Sequence, residues 1–219
     1  MGVGVRLRLC AEGIGSFFLF ATVIGSGIMA EKLAGGNIAV ALLGNTLATA
    51  AMLFVLITML GPISGAHFNP AVSLVMAGRG KITWREMAAY TAVQIVFGVL
   101  GGWAAHQMFD LPILQASTHV RTGIGQWTGE FIATFGLIFT ILGTAKHHPD
   151  RIPPSVALYI TAAYWFTSST SFANPAIAIA RSLTNSFSGI APVDVPMFIV
   201  AQITGAIAAS FVGGALFAD

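Results

Sequence analysis

The chain has 219 residues, 56% hydrophobic and 8% charged, with a formal net charge of +2 and one cysteine. A typical soluble domain is about a quarter charged, and the mean hydropathy here is +0.83, so a water-soluble domain is excluded and an integral membrane protein is implied. The small positive balance needs neither nucleic acid nor an acidic substrate to explain it, and the lone Cys10 cannot form an internal disulfide.

Six apolar stretches come close to the roughly 20 residues that a spanning helix needs. The first, about 9–30, exceeds a signal-peptide core and has no clear cleavage site after it, so it is read as a mature span; it carries Glu12. The second, about 38–60, leads into the approach Gly65-Ala66-His67-Phe68 and the triplet Asn69-Pro70-Ala71, after which the apolar run lasts only to about Ala77. The third, about 86–107, carries Gln94, and the longest loop follows, from about Phe109 to Gln126. The fourth, about 127–146, carries Glu130. The fifth, about 153–171, precedes a second triplet, Asn174-Pro175-Ala176, with an apolar run to about Ala180. The sixth, about 195–217, carries Gln202. None of these runs alternates apolar and polar residues, which argues against a membrane barrel.

Charge placement sets the expected orientation. With the N-terminus inside, Arg6, Arg8, Arg79, Lys81, Arg85, Lys146 and Arg151 collect on the inner side against Lys32, Arg121 and Arg181 outside. That bias satisfies the positive-inside tendency. Short loops and the lack of an organellar presequence point to a multi-pass protein of a bacterial inner membrane with both termini cytoplasmic.

The two halves repeat. Glu12 and Glu130 stand 118 residues apart, Asn69 and Asn174 stand 105 apart, and Gln94 and Gln202 stand 108 apart. Three spans per half is an odd number, so the second half enters the membrane from the opposite side, and sites in inverted repeats lie near the midplane. The chain is therefore read as a single transmembrane domain, repeat one about 1–108 and repeat two about 127–219. The runs after the triplets are too short to cross a bilayer. Re-entrant half-helices are the expected solution, because irregular backbone at membrane depth survives only when buried or lining a cavity. Proline suits the first helical position and the preceding asparagine suits the cap.

The paired triplets, the repeated glutamates and the Gly65-to-Asn69 approach resemble the aquaporin and aquaglyceroporin family, the major intrinsic proteins, over essentially the whole chain. The resemblance implies an all-α membrane fold of six transmembrane helices plus two half-helices around one pore per subunit, usually in a homotetramer. It makes Glu12 and Glu130 structural acids that hold the half-helix loops. It also implies a filter outside the midplane at positions that correspond, counted without gaps, to Thr49, Ala162, Ser171 and Ile177. Ile177 stands where most members of the family carry arginine.

Those side chains are small and uncharged, so the expected opening passes more than water. Glycerol and urea fit by size, and the missing arginine resembles a bacterial branch associated with undissociated arsenite and methylated arsenicals. Two alternatives stay open. A second loop one residue shorter would put Phe172 in place of Ser171 and make the pore narrower. Arg181, one turn beyond Ile177, either leans back into the outer vestibule or snorkels to the interface. The competing functions are a water-selective aquaporin and a coupled secondary transporter. No nucleophile–base set, metal cluster or phosphate loop suggests an enzyme, and no cofactor is expected. The expected partners are small neutral solutes and membrane lipid.

Overall fold

The computed structural model describes residues 3–217; residues 1–2 and 218–219, with which the two expected repeats begin and end, lie outside the described residues. The first half contains α1 (Val5–Leu33), α2 (Ile38–Ser64), α3 (Pro70–Gly78) and α4 (Trp84–Met108). The second contains α5 (Ile124–His147), α6 (Ile152–Phe166), α7 (Pro175–Ser182) and α8 (Val195–Leu216). Among the described residues there is no strand, and α1, α2, α4, α5 and α8 are long and apolar enough to cross a membrane.

The sixth spanning helix is α6, which is shorter than the sequence suggested. It has 15 residues and follows one 3-10 turn, Pro149–Arg151. The expected span reached 171, but the helix stops at Phe166 and Thr167 is already extended (φ −103°, ψ 138°). Thr167, Ser168, Ser169 and Thr170 are polar and continue into the backbone that Glu130 holds, so this stretch belongs to the pore loop rather than to the helix.

Close backbone contact ties α1 to α4 and α5 to α8. A methyl group built on Gly101 would sit 2.1 Å from the carbonyl oxygen of Phe17, and one on Gly205 would sit 2.4 Å from that of Phe131. Each contact joins the first and last long helices of one half, and glycine there lets backbone meet backbone without a side chain between. Gly214 is different, since its nearest neighbour is the end of the Arg79 side chain at 3.5 Å, an ordinary contact. Between the halves, α2 packs on α6. The outward faces are apolar, with Leu43, Leu47 and Phe54 of α2 and Val96, Phe97 and Leu100 of α4 all exposed. Only lipid or another copy makes such faces favourable.

α3 and α7 are the half-helices. Each starts with proline at its first turn, and their N-caps, Asn69 (φ −155°) and Asn174 (φ −157°), adopt nearly the same backbone. At nine and eight residues and about 1.5 Å per residue, each spans less than half of a bilayer core of about 30 Å.

Candidate functional site: a pore between two half-helices

Two buried carboxylates fix the loops that lead into the half-helices. Glu12 on α1 accepts from Ser64 Oγ (2.7 Å) and His67 N (2.9 Å) through Oε1, and from Phe68 N (2.7 Å) and Gln94 Nε2 (2.8 Å) through Oε2. Glu130 on α5 repeats the pattern, taking Phe172 N (2.8 Å) on Oε1, and Ala173 N (2.9 Å) and Gln202 Nε2 (2.5 Å) on Oε2. Both glutamates and both glutamines are fully buried. A buried carboxylate is tolerated when it is hydrogen-bonded in this way, and both oxygens of each acid are engaged in holding a loop and a glutamine.

These bonds hold an unusual backbone. Ala66 (φ 50°) and Phe68 (φ 47°) in the first loop, and Ser171 (φ 50°) and Ala173 (φ 48°) in the second, are left-handed although none is glycine. Such residues cost on the order of 1–3 kcal/mol each and persist where surrounding structure over-determines them. The resulting chain path leaves the carbonyls of Ala66, His67, Ser171 and Phe172 without a hydrogen-bond partner among the described residues. All four residues line a cavity of about 540 Å³.

The caps meet at the centre of that cavity. Asn69 Oδ1 accepts from Ala71 N at 2.9 Å, and Asn174 Oδ1 accepts from Ala176 N at 3.0 Å and Ile177 N at 3.3 Å. Each side-chain amide then crosses to the other loop: Asn69 Nδ2 donates to Ala173 O (2.7 Å) and Asn174 Nδ2 to Phe68 O (2.8 Å). An amide nitrogen carries two hydrogens, so one donor on each asparagine is left for the cavity. The half-helix N-termini add roughly +0.5 of an elementary charge each, a barrier to cations and protons.

At one end the cavity is lined by Arg8 and Lys81. Arg8 pairs with Glu86 (2.7 Å) and donates to Tyr90 Oη (3.0 Å), which donates to Ser64 O (3.0 Å). His67 lines this part and also bonds Ser73 Oγ at 3.0 Å.

At the other end stand Thr49, Ser171, Phe172, Ile177 and Arg181, all lining and all buried. Ala162 does not join them: it is exposed on the outside of α6, and the helix presents Val156, Ile160 and Tyr164 to the cavity instead. Tyr164 Oη lies 3.4 Å from Thr49 Oγ1. The stripe of Val156, Ile160 and Tyr164, spaced four residues apart, was readable as one helix face; counting without gaps from the triplet missed it because α6 ends early and the loop after it is longer. Ser171 and Phe172 both reach the cavity, so the two loop registers are not exclusive.

Ile177 leaves its own position uncharged, and the cation comes from one turn further on. Arg181 is 2% exposed, which removes the snorkelling alternative. Its Cζ lies 3.3 Å from the centre of the Phe172 ring and its Nε donates to Ser188 O. A second guanidinium, Arg121 from the loop between the halves, approaches the same ring at 5.1 Å and donates to Gly189 O at 2.8 Å. The sequence marked Arg121 only as an outer charge. His106, buried at the end of α4 between Thr184 Oγ1 (2.8 Å) and Ile113 O (3.0 Å), gave no signal at all beyond being a lone histidine.

Residues 4–169 match the family described as Major intrinsic protein. The chain belongs to that family. It is a multi-pass membrane channel and not an enzyme. It is 55% identical over 202 residues to "Aquaglyceroporin AqpS" of Rhizobium meliloti (strain 1021), covering 92% of this chain and 86% of that one. It is 29% identical over 220 residues to "Probable aquaporin NIP-type" of Nicotiana alata, covering 96% and 77%. Among solved structures it resembles the aquaglyceroporin from Plasmodium falciparum, with a TM-score of 0.74, 18% identity and 97% of both chains covered. That likeness speaks for the fold alone.

Proposed function

We propose that this channel conducts glycerol and related small polyols, with urea and water, down their gradients, and that undissociated arsenite, a neutral trihydroxy solute, shares the route. The observation that carries the proposal is the two-sided cavity wall. Leu53, Ile57, Val72, Leu137 and Ile160 offer an apolar face, while the free carbonyls of the two loops and the spare amide hydrogens of Asn69 and Asn174 offer hydrogen bonds. A polyol has one face of each kind, and pore selectivity of this type follows from diameter and donor–acceptor lining. Thr49, Tyr164, Ser171, Ile177 and Arg181 form the outer constriction in this reading, and Phe172 backs the arginine. We further propose one channel domain per chain, a homotetramer in a bacterial inner membrane, and cytoplasmic termini, in keeping with the charge bias and the apolar outer faces.

Stopped-flow light scattering of proteoliposomes in a glycerol gradient tests the proposal. Re-swelling faster than in empty liposomes, linear in glycerol concentration, supports it. Shrinkage without re-swelling means that Arg181 and Phe172 make the constriction water-selective. Saturable flux coupled to an ion gradient means a secondary transporter.

A further inference from the structure

Arg121 belongs to the loop between the halves and is not among the residues that line the cavity. Its side chain nevertheless reaches the outer constriction from behind. Nε donates to Gly189 O at 2.8 Å and Nη1 makes a longer bond to Ser169 O at 3.4 Å, while Cζ stands 5.1 Å from the centre of the Phe172 ring. One side chain thus joins the loop that enters the second half-helix to the loop that leaves it. Ser188 O takes Arg181 and the next carbonyl, Gly189 O, takes Arg121, so a single peptide step spaces two guanidinium groups on one ring. Ser169 immediately precedes Thr170 (φ 60°) and Ser171 (φ 50°), the left-handed residues of the pore loop.

Arg121 is itself held at its backbone. Its N–H donates to Asp194 Oδ2 at 2.7 Å, and shortly before it the same loop is bonded to the region after α7, from Ser117 N to Ser182 O (2.9 Å) and from Ala191 N to His119 O (2.7 Å). A methyl group built on Gly189 would sit 2.3 Å from Ser117 Oγ, so the two loops meet with no room for a side chain between them. The guanidinium therefore acts from a fixed base. Like charges repel, and Arg181 lines the cavity while Arg121 does not, so the repulsion opposes a retreat of Arg181 from the cavity. The bonds to Ser169 and Gly189 oppose a retreat of the loop that carries Phe172.

We propose that Arg121 is a positioning residue that determines specificity. Without touching a solute, it fixes how far Phe172 and Arg181 stand into the outer constriction, and hence the largest polyol that passes. The size limit rests on the glycerol-channel reading above; the coupling of Arg121 to Phe172 does not.

Flux ratios in proteoliposomes test this with the intact channel. Each variant is measured by stopped-flow light scattering with glycerol and with xylitol, a five-carbon polyol, and the ratio of the two entry rates cancels the number of active channels. Arg121→Met keeps the stem and removes the charge and both bonds. Its xylitol-to-glycerol ratio should rise about two- to tenfold, the population shift that corresponds to loss of one ordinary hydrogen bond. Arg121→Lys keeps the charge but lacks the fork that reaches two carbonyls; it should raise the ratio by less, and it decides the matter if Arg121→Met does not fold. Asn185→Ala loosens the same loop by removing the acceptor of Thr118 N and Oγ1, both at 3.0 Å, and leaves the guanidinium alone. It should lower the unfolding temperature with an unchanged ratio. A ratio at or below wild type in the Arg121 variants would overturn the proposal, and so would an equal rise in Asn185→Ala. If the wild-type channel admits water but no glycerol, the proposed function fails, and Arg121→Met is then expected to admit glycerol; continued exclusion would overturn the positioning role as well. Independently of flux, the unfolding temperatures of wild type, Arg121→Met, Phe172→Leu and the double variant form a cycle, because residues in contact are coupled and distant ones add. The double variant should be less destabilised than the two single variants together, and additivity would overturn the coupling.

Discussion

Replacing Glu130 by glutamine leaves the shape of α5 intact and removes one acceptor from a place where three donors converge. The carboxylate takes Phe172 N on one oxygen, and Ala173 N and Gln202 Nε2 on the other. Glutamine has one carbonyl oxygen. Placed at the doubly used position, that oxygen leaves its own NH2 facing the N–H of Phe172. Placed at the other, it keeps Phe172, and Gln202 can turn over to present its idle Oε1, but Ala173 N is then orphaned. Either way one buried loop N–H loses its partner, which costs about 1–3 kcal/mol, and the remaining bonds lose the strengthening of an ionised acceptor. A total of about 2–4 kcal/mol corresponds, for a chain of this size, to a fall of roughly 5–15 °C in unfolding temperature. The same bonds hold Ser171 and Ala173 left-handed, so the second loop should relax and glycerol flux per channel should fall as well. Unfolding in detergent and stopped-flow glycerol entry measure the two effects. An unfolding temperature within about 2 °C of wild type together with unchanged flux would refute the reasoning, because an orphaned donor and a relaxed loop cannot both be silent.

Other substitutions separate scaffold from filter. Gly205→Ala forces a methyl group to within 2.4 Å of a backbone carbonyl and should sharply lower the yield of folded protein on size exclusion, whereas Gly61→Ala, with nothing within 4 Å, should not. Ile177→Arg adds a further guanidinium one turn below Arg181 and should depress glycerol and arsenite flux more than water flux in proteoliposomes; equal loss of all three with normal insertion would mean that residue 177 does not shape the constriction. Tyr164→Ala removes the largest α6 side chain in the outer wall and should admit longer polyols such as five-carbon sugar alcohols, while Ala162→Leu, on the exposed face, should leave the permeability series unchanged.

Residues that recur at matched separations were legible in the sequence, and those that depend on chain path were not. Glu12 with Glu130, Asn69 with Asn174 and Gln94 with Gln202 declared an inverted repeat, because a type of residue that is expensive in a membrane appeared twice at corresponding places. Family membership and the six-plus-two helical fold followed. The wall of the outer constriction was harder. The end of α6 at Phe166 depends on polar residues leaving the helix to reach Glu130, a tertiary event, and an ungapped count therefore put Ala162 where Tyr164 stands. Left-handed backbone at Ala66, Phe68, Ser171 and Ala173 had no local signal, since alanine and phenylalanine do not favour it. The reach of Arg181 was left open because a long side chain on a short helix can point either way; the carbonyl of Ser188 and the ring of Phe172 decide it.

The repeat also separates what the two halves share from what each does alone. At the same separation of 105 residues that relates the two asparagines, Phe68 corresponds to Ala173, His67 to Phe172, Val72 to Ile177 and Met76 to Arg181. The cap bonds, the carboxylate bonds and the left-handed residues obey this symmetry, and each asparagine bonds the loop of the opposite half. Neither loop is therefore complete without the other, and a selective pore requires both halves in one folded unit. The exceptions fall at the ends of the cavity. Met76 is apolar where Arg181 is cationic, and His67 is bound to Ser73 where Phe172 carries the guanidinium. A symmetric centre excludes ions in either direction because both half-helix dipoles point at it, while discrimination among neutral solutes needs only one narrow place. Symmetry is conserved within this chain where charge exclusion and loop support demand it and is lost where size and hydrogen bonding select. Changes at Arg181, Tyr164 and Phe172 can therefore alter which solutes pass without disturbing the midplane barrier, whereas changes at Glu12 or Asn69 cannot be confined to one end.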